Sequence, residues 1–299
     1  MKARVAAAAW PIEEVGSMAA WRQKLDDWLT RAADGGAVLA VIPEYASMEL
    51  TSVLPASSAH DLQAQLRLLQ PLLGEYRAAY AALARRCKLA VVAGSFPELD
   101  EPSRTYRNRA RVFLGAMDAA EHYVEKLQMT RFEDEQWGIA PGARQLVLPT
   151  AAGRIGVAIC YDSEFPLISR RLIEAGAQVL CVPSCTDSTA GYHRVRVACQ
   201  ARALENQCYA LQAPTVGSAP WSIAVDENIG AAGCFGPPDR GFPSDGVLAL
   251  GTMNQPAWLF ADLDLALLEQ VRRDGAVLLH RDWRRDAHLR GAVEVVPDP

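Results

Sequence analysis

The chain has 299 residues, of which 50% are hydrophobic and 22% are charged, a composition typical of a globular protein with a large core. Its formal net charge of −5 argues against nucleic acid as a partner, because nucleic-acid-binding surfaces are basic. The apolar runs are far shorter than the ~20 residues that span a bilayer, so no membrane partner is expected. The apolar stretch after Lys2 and Arg4 is too short for a signal peptide, which favours a first strand and a cytoplasmic location.

The cysteines are odd in number and scattered, which argues against a disulfide framework. There are seven of them: Cys87, Cys160, Cys181, Cys185, Cys199, Cys208 and Cys234. No C-x-x-C pair occurs. A metal site made of Cys181, Cys185 and His193 is a minor alternative, since Cys181 falls inside an apolar strand pattern, and no metal is expected.

The first third of the chain alternates between strand and helix patterns. The patterns predict a strand at 5–9, a helix from 17 to about 33 capped by Ser17, a strand at 37–42, a helical region at 57–88 broken near Pro71, and a strand at 89–96. The strand at 37–42 is apolar throughout, which indicates burial on both faces, and it ends at Pro43 and Glu44.

Two further strands are predicted before the middle of the chain. Residues 106–114 alternate between arginines and apolar residues, so one side of this strand is interpreted as a solvated face rather than an anion site. Residues 122–129 form the next predicted strand, with Lys126 inside it. A lysine in a strand centre is unusual unless it meets water or a carboxylate, so Lys126 is a candidate functional residue.

The second half of the chain continues the alternation without a linker. The predicted elements are strands at 145–148, 153–159, 179–183, 208–216, 247–250 and 258–262, helices at 166–175, 193–206 and 264–273, and a Gly/Pro-rich loop at 217–246. This order predicts one α/β domain over residues 1–299 with a large buried sheet, a core at about 5–264 and a charged tail at 279–299.

A thiol at one predicted strand end, a carboxylate at another and a lysine inside a third strand form a chemically coherent set. Cys160 supplies a thiol, Glu44 a base that can take its proton, and Lys126 a cation for an oxyanion. Taken singly, Cys160 is as readily a buried structural thiol and Glu44 a solvated turn residue. A Cys160–His193 dyad stays open, whereas the phosphate-loop, H-E-x-x-H and G-x-S-x-G motifs are absent.

Four sequence motifs then resemble one known family, the nitrilase superfamily of carbon–nitrogen hydrolases. They are 42–44 (Ile-Pro-Glu), 123–126 (Tyr-Val-Glu-Lys), 156–162 (Gly-Val-Ala-Ile-Cys-Tyr-Asp) followed by Phe165-Pro166, and 201–206 (Ala-Arg-Ala-Leu-Glu-Asn). The resemblance covers residues 5–264 and implies a four-layered α-β-β-α sandwich, which stacks on a second sandwich in a homodimer or higher homo-oligomer. It implies no cofactor.

The resemblance also implies roles for individual residues. Glu44 would be the base, Lys126 and the backbone N–H of Tyr161 the oxyanion donors, and Cys160 the nucleophile. The family carries a second glutamate shortly before a Pro-Gly turn. Glu135 fits that placement best and Glu133 is the runner-up.

Nitrilases of the family usually have Cys-Trp-Glu at the nucleophile, whereas this chain has Cys160-Tyr161-Asp162. This form favours a thiol amidohydrolase that cleaves a non-peptide amide bond of a small molecule through a Cys thioester. Alternatives are a nitrilase or N-carbamoyl amine hydrolase on the same triad, and a catalytically silent binding or scaffold member. Glu164 and the stretch 184–186 depart from the family pattern near the substrate. Tyr45, Trp137 and Thr186 are the residues expected in the pocket wall.

Overall fold

Thirteen strands and seven α-helices are present in the part of the chain that the computed structural model describes, residues 2–115 and 121–283. The strands are β1 (Lys2–Pro11), β2 (Leu39–Ile42), β3 (Ala90–Asp100), β4 (Thr105–Phe113), β5 (Glu121–Glu125), β6 (Val147–Thr150), β7 (Gly153–Val157), β8 (Val179–Ser184), β9 (Tyr209–Ser218), β10 (Glu227–Asn228), β11 (Gly233–Phe235), β12 (Val247–Leu250) and β13 (Ala257–Asp264). The helices are α1 (Met18–Asp34), α2 (Leu62–Leu69), α3 (Leu73–Cys87), α4 (Pro166–Glu174), α5 (Thr189–Asn206), α6 (Leu265–Asp274) and α7 (Leu279–Asp282). Most of the predicted tail, residues 284–299, lies outside the described residues.

The strands form one curled sheet with two halves. Its order is β5-β4-β3-β2-β1-β9-β8-β7-β6, with β13 added to β1, β10 and β11 added to β9, and β12 added to β11. Only the last two residues of β1, Trp10 and Pro11, pair with β9. Because this junction is so short, the sheet can fold there and bring the two half-sheets face to face.

Successive side chains of a strand point to opposite faces of the sheet, so a strand that is buried on both faces contributes to two apolar clusters. In β1, Val5 and Ala7 join the apolar cluster shared with β8 and β9, whereas Ala6 and Ala8 face the cluster under α1 and α3. Helices α4 and α5 pack on the second half-sheet. The layers are therefore helix, sheet, sheet and helix, which confirms the predicted α-β-β-α sandwich.

Strand direction decides where the site can form. Strands β1, β2 and β3 are parallel, β7, β8 and β9 are parallel, and β1 pairs with β9 in parallel. Strand β5 is antiparallel to β4, which is antiparallel to β3, so β5 also runs in this direction. The segments that follow β2, β5, β7 and β8 consequently meet at one end of the sandwich, which is where α/β folds place their binding sites.

The predicted helix boundaries agree with the observed ones at positions where the prediction used a capping residue or a proline. The Ser17 side chain accepts the Ala20 N–H at 3.1 Å, and Pro71 separates α2 from α3 by a short helical turn. Helix α5 begins at Thr189, four residues before the predicted start, because the Ser188 side chain caps it by accepting the Gly191 N–H. The predicted loop 217–246 contains the short strands β10 and β11.

Within residues 2–115 and 121–283, no helix is both long enough and apolar enough to cross a membrane.

Candidate active site

Glu44, Lys126 and Cys160 come together at the shared carboxyl end of the strands. Glu44 follows β2, Lys126 follows β5 directly, and Cys160 lies three residues past β7. Their side chains are almost completely buried, with relative exposures of 1%, 1% and 5%. Lys126 thus lies one residue beyond its strand, rather than in the centre of the strand predicted at 122–129.

Lys126 links two carboxylates. Its Nζ donates to Glu44 Oε1 at 2.8 Å and to Glu133 Oε2 at 2.6 Å. Burial alone would lower the pKa of Lys126, but the charges of Glu133 and Glu44 outweigh it and hold the pKa well above its usual range. Lys126 is therefore a fixed, buried cation.

The second glutamate of the cluster is Glu133, and the sequence-based preference for Glu135 is wrong. Glu135 lies on the surface, half exposed, and accepts hydrogen bonds from Arg131 at 2.8 and 2.9 Å. Both glutamates belong to the helical turn Phe132–Trp137, where residues two positions apart point to nearly opposite sides. Only Glu133 faces inward, where it is 3% exposed.

The two buried carboxylates differ in their hydrogen-bond donors. Besides Lys126, Glu133 accepts from Tyr45 Oη at 2.8 Å and from the Thr130 N–H and hydroxyl, both at 2.9 Å. Burial would raise the pKa of Glu133, but Lys126 and these donors lower it below its usual value. For Glu44 burial dominates, and its pKa is raised despite Lys126. Two acids with pKa values pushed apart in one site are typical of acid–base chemistry.

Cys160 occupies a strained turn. Its φ is +47°, in the left-handed region that non-glycine residues rarely adopt, and the helical turn Cys160–Glu164 starts at this residue. Burial, then the charge of Glu44, raise the pKa of the Cys160 thiol well above its usual range, with Lys126 opposing. This environment disfavours the thiolate, so Cys160 needs a base before it can act as a nucleophile.

Asp162 ties the Cys160 turn to the chain that follows Lys126. Its carboxylate accepts the backbone N–H of Leu127 at 3.1 Å and that of Gln128 at 2.8 Å. Burial raises the pKa of Asp162 to about 7, although these two donors oppose the shift. The loop that carries the cation and the turn that carries the thiol are consequently joined by one side chain.

Two residues that contact Glu44 were missed in the sequence. Asn108 on β4 donates through Nδ2 to Glu44 Oε1 at 2.9 Å, and the Cys185 backbone N–H donates to Glu44 Oε2 at 3.1 Å. A signal for Asn108 exists, because it is the polar residue on the apolar side of the alternating strand. No signal exists for Cys185, since any residue type supplies a backbone N–H.

The cluster opens into a cavity of about 350 Å³. Tyr45, Trp137 and Thr186 all line it, as predicted for the pocket wall. The Tyr45 and Trp137 rings are 4.7 Å apart, and the Thr186 hydroxyl donates to the Ile229 carbonyl at 2.7 Å. His193 is exposed and is not among the lining residues, so the geometry does not support a Cys160–His193 dyad.

Tyr161 also lines the cavity. It is the second residue of the turn that begins at Cys160, where backbone N–H groups have no acceptor within the turn itself. The N–H of Tyr161 is thus available near the thiol. As for metals, residues 2–115 and 121–283 contain no group of three or more His, Cys, Asp or Glu side chains placed to hold an ion.

Known proteins resemble this chain along most of its length. The profile of the family described as Carbon-nitrogen hydrolase matches residues 4–238. The "Probable hydrolase YhcX" of Bacillus subtilis is 30% identical over 285 residues, 95% of this chain, and the chain spans 54% of that protein. The "Deaminated glutathione amidase" of Homo sapiens is 30% identical over 269 residues, which cover 84% of this chain and 74% of that protein.

A solved structure shares the fold. The crystal structure of Saccharomyces cerevisiae Nit3, described as a member of branch 10 of the nitrilase superfamily, superposes with a TM-score of 0.69 at 20% identity. The match covers 91% of this chain and 93% of that one. The layered architecture deduced above is therefore that of the nitrilase fold.

Proposed function

The chain belongs to the carbon–nitrogen hydrolase family, and we propose that it is a thiol amidohydrolase that cleaves a non-peptide amide bond of a small molecule. One observation carries the proposal. Lys126 donates to both Glu44 and Glu133 beside a cavity whose wall includes the strained Cys160. A thiol, a base and a cation in one dry site are the groups that acyl transfer requires.

In the proposed first half-reaction, Glu44 takes the proton of Cys160 and the thiolate attacks the amide carbon. The oxyanion is stabilised by Lys126 Nζ and the backbone N–H of Tyr161. The C–N bond then breaks, and the ammonia or amine leaves with the proton held by Glu44. Burial supports this role of Glu44, because it raises the pKa of the carboxyl group and so makes its carboxylate a stronger base than an ordinary glutamate.

In the second half-reaction, Glu44 takes a proton from water, which attacks the thioester on Cys160. The carboxylic acid leaves and the thiol is restored. Glu133 keeps Lys126 charged and oriented throughout, which its lowered pKa supports. Each donor to the oxyanion is expected to contribute about 10²–10³-fold to the rate.

The test is a panel of small amides, nitriles and N-carbamoyl amines, with ammonia and CO₂ measured separately. An amidase releases ammonia or amine from amides only, a nitrilase releases ammonia from nitriles, and an N-carbamoyl hydrolase also releases CO₂. Cys160→Ala is expected to abolish turnover. If no compound is hydrolysed and Cys160 reacts no faster than a surface thiol, the protein is a silent binding member instead.

We further propose one catalytic domain over residues 1–299 that acts in the cytoplasm as a homodimer or larger homo-oligomer. All seven cysteines are free, which suits a reducing compartment. The outer sides of α4 and α5 expose Leu167 at 72% and Val197 at 62%, and such apolar residues are candidates for a subunit contact. Light scattering on the purified protein measures its mass, and a monomer at micromolar concentration would contradict the assembly.

A further inference from the structure

The mouth of the cavity is acidic. Beyond the catalytic cluster, the charged residues that line it are Glu164, Asp187, Arg194, Asp226 and Glu227. Four of these five are carboxylates. The excess of carboxylates over cations in the cavity wall is therefore larger than the small net charge of the whole chain would suggest.

The four carboxylates come from three separate segments of the cavity lining. Glu164 ends the helical turn that starts at Cys160, and Asp187 lies between β8 and α5. Glu227 is the first residue of β10 and Asp226 directly precedes it, and both are distant in sequence from Glu164 and Asp187. Since they converge from three segments, a ligand that enters passes negative charge on several sides.

The two cations of the lining are already engaged. Lys126 is shared by Glu44 and Glu133, and Arg194 Nε lies 3.5 Å from Glu164 Oε2. Within the described parts of the chain, no ion pair involves Asp187, Asp226 or Glu227. No cationic side chain among residues 2–115 and 121–283 therefore neutralises these three charges.

A concave wall of one sign raises the local concentration of oppositely charged ligands and repels like-charged ones. We propose that the substrate is a cationic amide, one that carries an ammonium or guanidinium group within a few bonds of the scissile carbonyl, and that anionic amides are disfavoured. This inference rests on the proposed amidohydrolase function. A cavity of about 350 Å³ is of the size that holds such a small molecule.

The charge of the wall can be tested without turnover, through the reactivity of Cys160. Two methanethiosulfonates of similar size, one with a trimethylammonioethyl group and one with a sulfonatoethyl group, modify the thiol. The thiolate attacks the sulfenyl sulfur, an S–S bond forms and methanesulfinate leaves. Peptide mapping by mass spectrometry identifies modification at Cys160 and separates it from modification at Cys185.

After division by the rates for a free thiol in solution, the cationic reagent is expected to modify Cys160 about tenfold faster than the anionic one at low salt. The preference is expected to shrink at high salt, because exposed charges are screened. Equal rates, or a faster reaction with the anionic reagent, would overturn the inference. A faster anionic reagent would indicate that Arg194, and not the carboxylates, determines the electrostatic potential at the mouth.

A double variant, Asp226→Asn with Glu227→Gln, tests the residues themselves and is expected to reduce the cation-to-anion ratio roughly threefold or more. The matched control, Glu101→Gln with Asp274→Asn, removes two exposed charges that lie outside the cavity lining and is expected to leave the ratio unchanged. An identical ratio in both double variants would overturn the role of Asp226 and Glu227.

Hydrolysis separates this inference from the proposed function. 4-Aminobutanamide, butanamide and succinamate have the same chain length and are cationic, neutral and anionic. We expect kcat/KM to fall in that order, and deaminated glutathione, which is anionic, to be a poor substrate. Turnover of all three without a charge order would overturn only the inference. No turnover, with a clear charge preference in the thiol modification, would overturn the proposed function and with it the cationic amide as substrate, and would leave only the charge preference of the cavity.

Discussion

At the scale of single residues, the site depends on how two carboxylates share one cation. Glu133 accepts five hydrogen bonds and has a lowered pKa, whereas the pKa of Glu44 is governed by burial and is raised. This asymmetry supports the proposed roles, in which Glu133 stays ionised and holds Lys126 while Glu44 exchanges a proton. Two carboxylates with equal pKa values could not take these separate roles of holding the cation and exchanging a proton.

Glu133 and Glu135 provide a matched pair of variants in one helical turn. Glu133→Gln removes the charge that holds Lys126 and is expected to lower kcat by about 10²–10³-fold. Glu135→Gln removes one exposed ion pair with Arg131 and is expected to leave kcat within about twofold of wild type. Steady-state amide hydrolysis measures both. Equal losses in the two variants would contradict the assignment of Glu133.

In the proposed mechanism the ionised form of Glu44 is the base, and the expected pH dependence follows from it. Burial raises its pKa above the ordinary value of 4.5, so a larger share of Glu44 is protonated at any mildly acidic pH. Activity is expected to fall as the pH decreases through this raised pKa, and the acid limb of kcat/KM therefore lies above pH 4.5. Circular dichroism across the same range controls for unfolding. An acid limb at or below pH 4.5 would show that Glu44 is not the base.

At the scale of elements, the site is assembled by the ends of strands and held by few connections. Asp162 is one of them, because it joins the turn of Cys160 to the segment after Lys126. It touches neither the thiol nor the ammonium group in this arrangement. We therefore treat it as a positioning residue.

Asp162→Ala is expected to lower kcat by about 10²-fold with little change in KM, since small displacements of reacting groups have effects of this size. The free energy of unfolding is expected to fall by about 1–3 kcal/mol, because two buried backbone N–H groups lose their acceptor. Asp162→Asn keeps one acceptor oxygen and should recover part of kcat. An alanine variant that is folded and fully active would exclude the positioning role.

A second connection is the close packing of β3 on the chain that leads to Glu44. Gly94 has φ +68°, and a Cβ there would lie 2.1 Å from the Pro43 carbonyl oxygen. Gly94→Ala is expected to destabilise the fold by roughly 2–5 kcal/mol and to reduce activity by displacing Glu44. Gly74→Ala in α3, where no atom lies within 4 Å of the added Cβ, is expected to be neutral or slightly stabilising. Urea unfolding measures the stability of both variants, and equal stabilities would contradict the close packing of Gly94 on Pro43.

At the scale of the whole molecule, the sequence patterns predicted one α/β domain with a large buried sheet and singled out three of the clustered residues, whereas the α-β-β-α sandwich was implied by the family resemblance. Apolar runs that end at Pro43-Glu44 and at Cys160 identify buried parallel strands, and parallel strands bring their carboxyl ends together. The position of Lys126 beside these ends was expected from the family resemblance and not from periodicity.

Other features could not be predicted, for physical reasons. The phase of a short helical turn decides whether Glu133 or Glu135 points inward, and an irregular turn leaves no periodic signal for this choice. The Cys185 N–H that binds Glu44 is a backbone group. The acidic mouth joins Asp187 to Asp226 and Glu227 from distant loops, which only the folded chain brings together.

The central claim is that Cys160 carries the acyl group during turnover. The most direct measurement is the intact mass of the acid-quenched enzyme during steady-state amide hydrolysis, followed by peptide mapping. We expect a mass increase equal to the acyl group, located on the peptide with Cys160, removed by hydroxylamine and missing in Cys160→Ala. Amide hydrolysis that proceeds at the wild-type rate in Cys160→Ala, with no acyl adduct in the wild-type protein, would contradict the account.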